Sequence, residues 1–176
     1  MQDTLFSRSI NKTQMIIGFL GLLMGSVVYL IDRPPDQTYF ISKSPLSITL
    51  YDSIPNLFGI IGYSLPAFLH VFSFILITAG LIFWNKRAYL IICVFWFSVD
   101  SAFELGQKFN DVTSHIIPHW FAGIPFLENT KSYFLHGTFD VVDLAAVAFG
   151  TMVAYFVVSI TGKGEHYHEK TKKWIY

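Results

Sequence analysis

Residues 65–84 read LPAFLHVFSFILITAGLIFW, 85–87 read NKR, and 88–105 read AYLIICVFWFSVDSAFEL. A bilayer core about 30 Å thick is crossed by ~20 mostly apolar residues of helix. Each long run approaches that length, and the three polar residues between them allow only a tight reversal. The two runs therefore form an antiparallel pair. Outward from it lie two more such runs, Met15–Ile31 and about Phe139–Ile160. The first follows Arg8 and Lys12 and stops at Asp32-Arg33-Pro34-Pro35; the last stops at Thr161-Gly162-Lys163-Gly164. The first run is 17 residues long with no A-x-A site behind it, which reads as a retained anchor and not a cleaved signal. The expected fold is an all-α integral membrane protein. It has one domain over 1–176, four transmembrane helices (about 15–31, 65–84, 88–105 and 139–160) and a tail at 161–176.

Composition agrees. Of 176 residues 53% are hydrophobic and 14% charged, where soluble domains carry about 25% charge. Twelve basic and twelve acidic residues cancel, so no field recruits nucleic acid. The lone Cys93 excludes an internal disulfide.

Basic residues set the expected orientation. Arg8, Lys12, Lys86, Arg87, Lys163, Lys170, Lys172 and Lys173 fall on one side of the spans, and Arg33, Lys43, Lys108 and Lys131 on the other. Both termini are expected in the cytoplasm, the tail included, and the long loops at about 32–64 and 106–138 outside a bacterial inner membrane. Those loops hold apolar runs, Ile54–Tyr63 and Ile116–Phe121, too short to span but suited to the interface or to dipping into the protein.

Ionisable residues inside hydrocarbon are costly, about +2.5 to +3.5 kcal/mol for Asp at a helix centre, so their positions are informative. On the third helix Asp100, Glu104 and Gln107 share one face, which Asp111 would join if the helix ran on. On the fourth, Asp140 and Asp143 share a face with Val147, Gly150 and Ala154. The second helix carries His70. With outward loops, His70, Asp100, Glu104, Asp140 and Asp143 are expected at similar depth in the outer half of the membrane, Asp100 and Asp143 lowest. Blander readings stand beside this one. Asp140 suits a helix cap, Glu104 and Gln107 suit a hydrated helix end, and His70 suits an interhelical hydrogen bond.

Other signals are weaker. Gly21-Leu22-Leu23-Met24-Gly25, extended by Gly18, permits close helix packing. His115 and His119 have a metal-ligand spacing, but Pro118 lies between them and no metalloprotease carboxylate accompanies them, so no metal site is expected. No phosphate loop, nucleophile elbow or haem-attachment motif is present.

Phe103-Glu104-Leu105-Gly106-Gln107, then Phe139-Asp140-Val141-Val142-Asp143 with Gly150 seven further on, and His70 in the preceding helix together resemble the VanZ-like membrane proteins. The resemblance covers roughly 60–155. It implies an envelope protein linked to glycopeptide tolerance, with Glu-x-x-Gln and Phe-Asp-x-x-Asp as its polar site. Gly137-Thr138 stands where family members commonly carry Arg, and Val147 where many carry Asn. The first functional expectation is an acidic site at His70, Asp100, Glu104, Gln107, Asp140 and Asp143 for a lipid headgroup, small molecule or cation. The same cluster could serve acid–base chemistry on a lipid-linked substrate, although no nucleophile accompanies it. The alternative is an accessory subunit whose acids pair with a partner's Lys or Arg. A proton-coupled transporter is the third reading, for which four short helices leave little room. Expected partners are membrane lipids or other membrane subunits.

Overall fold

The computed structural model describes residues 10–32, 34, 50–51, 53–54, 57–82, 86–125 and 127–172. Arg8, Arg33, Lys43 and most of the first long loop lie outside them. The described residues form α1 (Lys12–Asp32), α2 (Ile61–Ile82), α3 (Lys86–Lys108), α4 (Asn110–Ile116), α5 (Thr130–His136) and α6 (Val141–Lys172), with a 3-10 turn at His119–Gly123. Four of these helices are long and apolar enough to cross a membrane: α1, α2, α3 and the Val141–Gly162 part of α6.

The helix α2 is the centre of the bundle. It packs most extensively on α1 and α6, and less on α3, which also leans on α6. Small residues make the two main contacts possible. A Cβ at Gly18 would lie 2.7 Å from Ile77 Cγ1, and one at Gly21 would run into the Ser73 hydroxyl. Gly25 continues that stripe against Leu69. On α6, Gly150 sits so close to α2 that a Cβ would stand 2.7 Å from the Phe68 carbonyl oxygen. The core between α2, α3 and α6 comprises Val71, Ile75, Leu76, Ala79, Tyr89, Ile92, Cys93, Val147, Ala154 and Val158. Outward, Ile16, Phe19, Leu23, Leu90, Ile91, Val94, Phe95, Met152 and Phe156 are exposed. Such an apolar exterior is expected where lipid, not water, is the solvent.

Helix ends depart from the sequence expectations, each for a local reason. The first helix starts three residues early because Asn11 and Gln14 form its entry: Asn11 Oδ1 accepts the Gln14 N–H at 3.1 Å, and the Asn11 N–H reaches the Gly80 carbonyl at 3.0 Å. The second starts at Ile61, ahead of Pro66. The buried Asp32 carboxylate accepts the Leu57 and Phe58 N–H groups at 3.1 and 2.9 Å, and Gly62 lies against it. The third takes Lys86 and Arg87 into its first turn and runs to Lys108. The fourth does not stop at Ile160: helix continues to Lys172, while the stretch apolar enough to span ends at Gly162. Thr161 bonds back to the Val157 carbonyl at 2.7 Å, and Gly162 gives Tyr89 a place to pack, so neither residue breaks the helix.

The loop at 106–138 also differs from an unstructured connection. A turn at Phe109 ends α3, so Asp111 leaves the Asp100–Gln107 face and opens α4, exposed. Thr113 Oγ1 ties α4 back to the Gly106 carbonyl at 3.1 Å. From the other side, the ring of Phe134 on α5 presses on Gly106 and stacks on Phe103 at 5.6 Å.

Candidate functional site

Three spans bring the polar residues to the end of the bundle that carries α4 and α5. The His70 Nδ1 of α2 lies 3.2 Å from Asp100 Oδ2 of α3. The His70 side chain is 52% exposed and that of Asp100 only 9%, so the imidazole stands at the opening and the carboxylate lies behind it. An aromatic ladder supports the imidazole. His70 meets Phe74 edge-on at 4.5 Å, Phe74 stacks on Trp96 at 4.6 Å, and the Trp96 indole N–H donates to Thr78 Oγ1 at 3.0 Å.

One turn along α3, Glu104 accepts the Asp140 backbone N–H and lies within electrostatic reach of Asp143, Asp140 and Asp100. Its Oε2 is buried, with no hydrogen-bond partner among the described residues. Asp140 Oδ1 accepts the Val142 N–H at 2.8 Å, the geometry of an N-terminal cap on α6. Asp140 therefore has two roles, capping its own helix and presenting its backbone N–H to Glu104.

At the mouth, Gln107 lies between Tyr133 and Gly137. Its amide and the Tyr133 hydroxyl are hydrogen-bonded, and a Cβ at Gly137 would stand 2.7 Å from Gln107 Cδ. Partial burial, with Glu104, Tyr29 and Asp100 charge nearby, pushes the Tyr133 phenol up to about 12, against the Gln107 hydrogen bond that lowers it. Tyr133 is therefore a protonated hydroxyl at neutral pH. Lys108 lies over the Phe139 ring, 5.0 Å from its centroid.

Depth along the helices corrects the expected common level. His70 is nine residues into α2 and Asp100 eight from the end of α3, about 12–14 Å at 1.5 Å per residue. Glu104 is about 6 Å in by the same measure, and Asp143 is in the first turn of α6. The acids form a column from mouth to interior. Asp143 belongs to its upper part, not beside Asp100 at the bottom, because α6 begins at Val141.

His115 and His119 are exposed, and His115 Nδ1 is spent on the Asp111 carbonyl of its own helix at 2.6 Å. Among the described residues no group of three His, Cys, Asp or Glu side chains is placed to hold a metal ion. Sequence reasoning missed Tyr133, Phe134 and the anchoring role of Asp32. It also missed Asn11 and Gln14, for which a signal existed: Asn-x-x-Gln ahead of an apolar run is a capping-box pattern.

The fold defines the class: a four-span, all-helical membrane protein whose third and fourth spans carry acids at one end. No family model matches the chain, and no curated protein or solved structure does so either.

Proposed function

We propose that this chain is a VanZ-like protein of the bacterial cell envelope whose acidic column binds a cationic group, an amine-bearing lipid headgroup first among the candidates. The observation that carries the reading is the buried, unpartnered Oε2 of Glu104 amid Asp100, Asp140 and Asp143. A buried carboxylate oxygen without a hydrogen bond is costly, and an ammonium donor entering the column would satisfy it. His70 at the opening and Tyr133 at the mouth are the groups such a ligand would pass. The basic-residue count supports an orientation with both termini in the cytoplasm and the column in the outer half of the membrane.

The same oxygen supports a second reading, in which a partner subunit inserts a Lys or Arg. One experiment separates them. The wild type and Glu104→Gln are purified from native membranes, then offered phosphatidylethanolamine or phosphatidylglycerol in detergent and weighed by native mass spectrometry. Preferential retention of phosphatidylethanolamine, lost in the variant, is the expected result. A stoichiometric protein that leaves with the substitution, with no lipid preference, supports the subunit reading. Neither effect in a folded variant refutes both.

A further inference from the structure

The segment from Phe109 to Ile124 follows the third span after a single turn and exposes a run of large apolar side chains. Phe109 is 57% exposed, Val112 61%, Ile116 73% and Trp120 62%. Phe109, Val112 and Ile116 recur at intervals of three and four, so they line one face of α4 and its entry. Asp111 and His115, four apart, line an exposed polar face, while Ser114 points inward and donates to the Asp111 carbonyl at 2.9 Å. The helix α4 is thus amphipathic within its exposed surface.

Position decides what meets the apolar side. The helix α3 has 23 residues, about 34 Å of length, enough to cross the hydrocarbon core, and α4 begins two residues after Lys108. Thr113 holds α4 against the end of α3, so the segment cannot rise far from that level. Exposed apolar side chains on α3, Phe97 and Leu105 among them, lead toward that same end of the span. We infer that residues 109–124 form an interfacial anchor, lying in the membrane plane with Phe109, Val112, Ile116 and Trp120 at the boundary between headgroups and acyl chains. Trp at that level is favoured because its ring is apolar and its N–H polar. The inference depends on the membrane-spanning fold and not on the acidic column having a ligand. Through Thr113 and Phe134, which both meet Gly106, the anchor also bears on the α5 segment that carries Tyr133.

The test uses the full chain in phosphatidylcholine vesicles. In a Cys93→Ser background, Val112→Cys, Ile116→Cys and Asp111→Cys are each spin-labelled. Their collision with oxygen, which partitions into lipid, is compared with collision with a water-soluble nickel chelate. Oxygen exceeding nickel at 112 and 116, with the balance moved toward nickel at 111, is the expected result. Nickel exceeding oxygen at both 112 and 116 overturns the inference, and so does shielding from both reagents, which would mean a protein contact. A second measurement guards against poorly folded variants. In the otherwise unaltered protein, Trp120→Phe removes fluorescence that bromines near the headgroups quench. If the fluorescence removed is instead quenched by aqueous iodide and not by brominated lipid, the anchor is absent.

Discussion

At one end of the bundle, the polar groups packed between helices are neutral and sealed. Gln14 is fully buried and donates to Thr161 Oγ1 at 2.9 Å and to the Val158 carbonyl at 3.3 Å, while Asn11 holds Gly80. At the other end the groups are carboxylates, a half-exposed imidazole and a phenol. Both arrangements bury polarity between membrane helices. The first joins α1 to α6 and α2 through hydrogen bonds of uncharged groups, although Gln14 Oε1 is itself buried without a partner among the described residues. The second places Glu104 beside three other acids and leaves one of its oxygens unsatisfied. Interhelical hydrogen bonds hold the sealed end, whereas charge is retained at the open end without an evident gain in stability.

Variants can break or sharpen that contrast. The largest effect is expected between the two ends, where α2 and α6 touch. Gly150→Leu must displace the Phe68 backbone and Val71, so a loss of about 1–3 kcal/mol or more is expected in detergent unfolding. At the sealed end, Gln14→Leu removes two interhelical bonds. Its expected cost is about 0.6–1.7 kcal/mol, read as a lower midpoint in the same assay. At the open end Asp140→Ala removes the α6 cap and costs about 1 kcal/mol, whereas Asp140→Asn keeps a capping oxygen and stays within a few tenths. If both cost the same, the loss of charge and not of the cap is responsible.

Asp100→Asn sharpens the comparison most. The amide still offers His70 Nδ1 a partner, and a buried charge is removed, so stability is expected to hold or rise while ligand retention falls. A variant that unfolds would make Asp100 part of the structural framework, like Gln14. The smallest effect concerns Tyr133. Its folded value, raised from 10 to about 12, gives a contribution complete below pH 10 and lost as pH rises toward 12. Tyr133→Phe is expected to flatten the alkaline fall in unfolding midpoint over that window. An unchanged slope would show that burial and the neighbouring acids do not raise the Tyr133 phenol.

Much of this molecule was legible from residue order. The four spans follow from run length, and the glycine stripe of α1 from spacing. The acids of α3 and α6 were visible because charge is rare in such runs. Helix ends were less legible. Asp32, Thr161 and Gly162 look like terminators in one dimension, yet each acts through a contact with a residue distant in the chain. Tyr133 and Phe134 carry no periodic signal, and their place over Gln107 and Gly106 depends on how the 106–138 segment folds back.

The amino-acid sequence by itself determined that the chain is all-helical and membrane-spanning, because the hydrophobic cost of length and charge is paid residue by residue along each run. Tertiary structure alone decided that His70 meets Asp100, that Glu104 meets Asp140, and that Asp143 stands near the mouth and not at depth. Those pairings depend on the register of α6 on α2, where Gly150 meets the Phe68 backbone, and on how α3 packs against both, a relation that no single run of sequence contains.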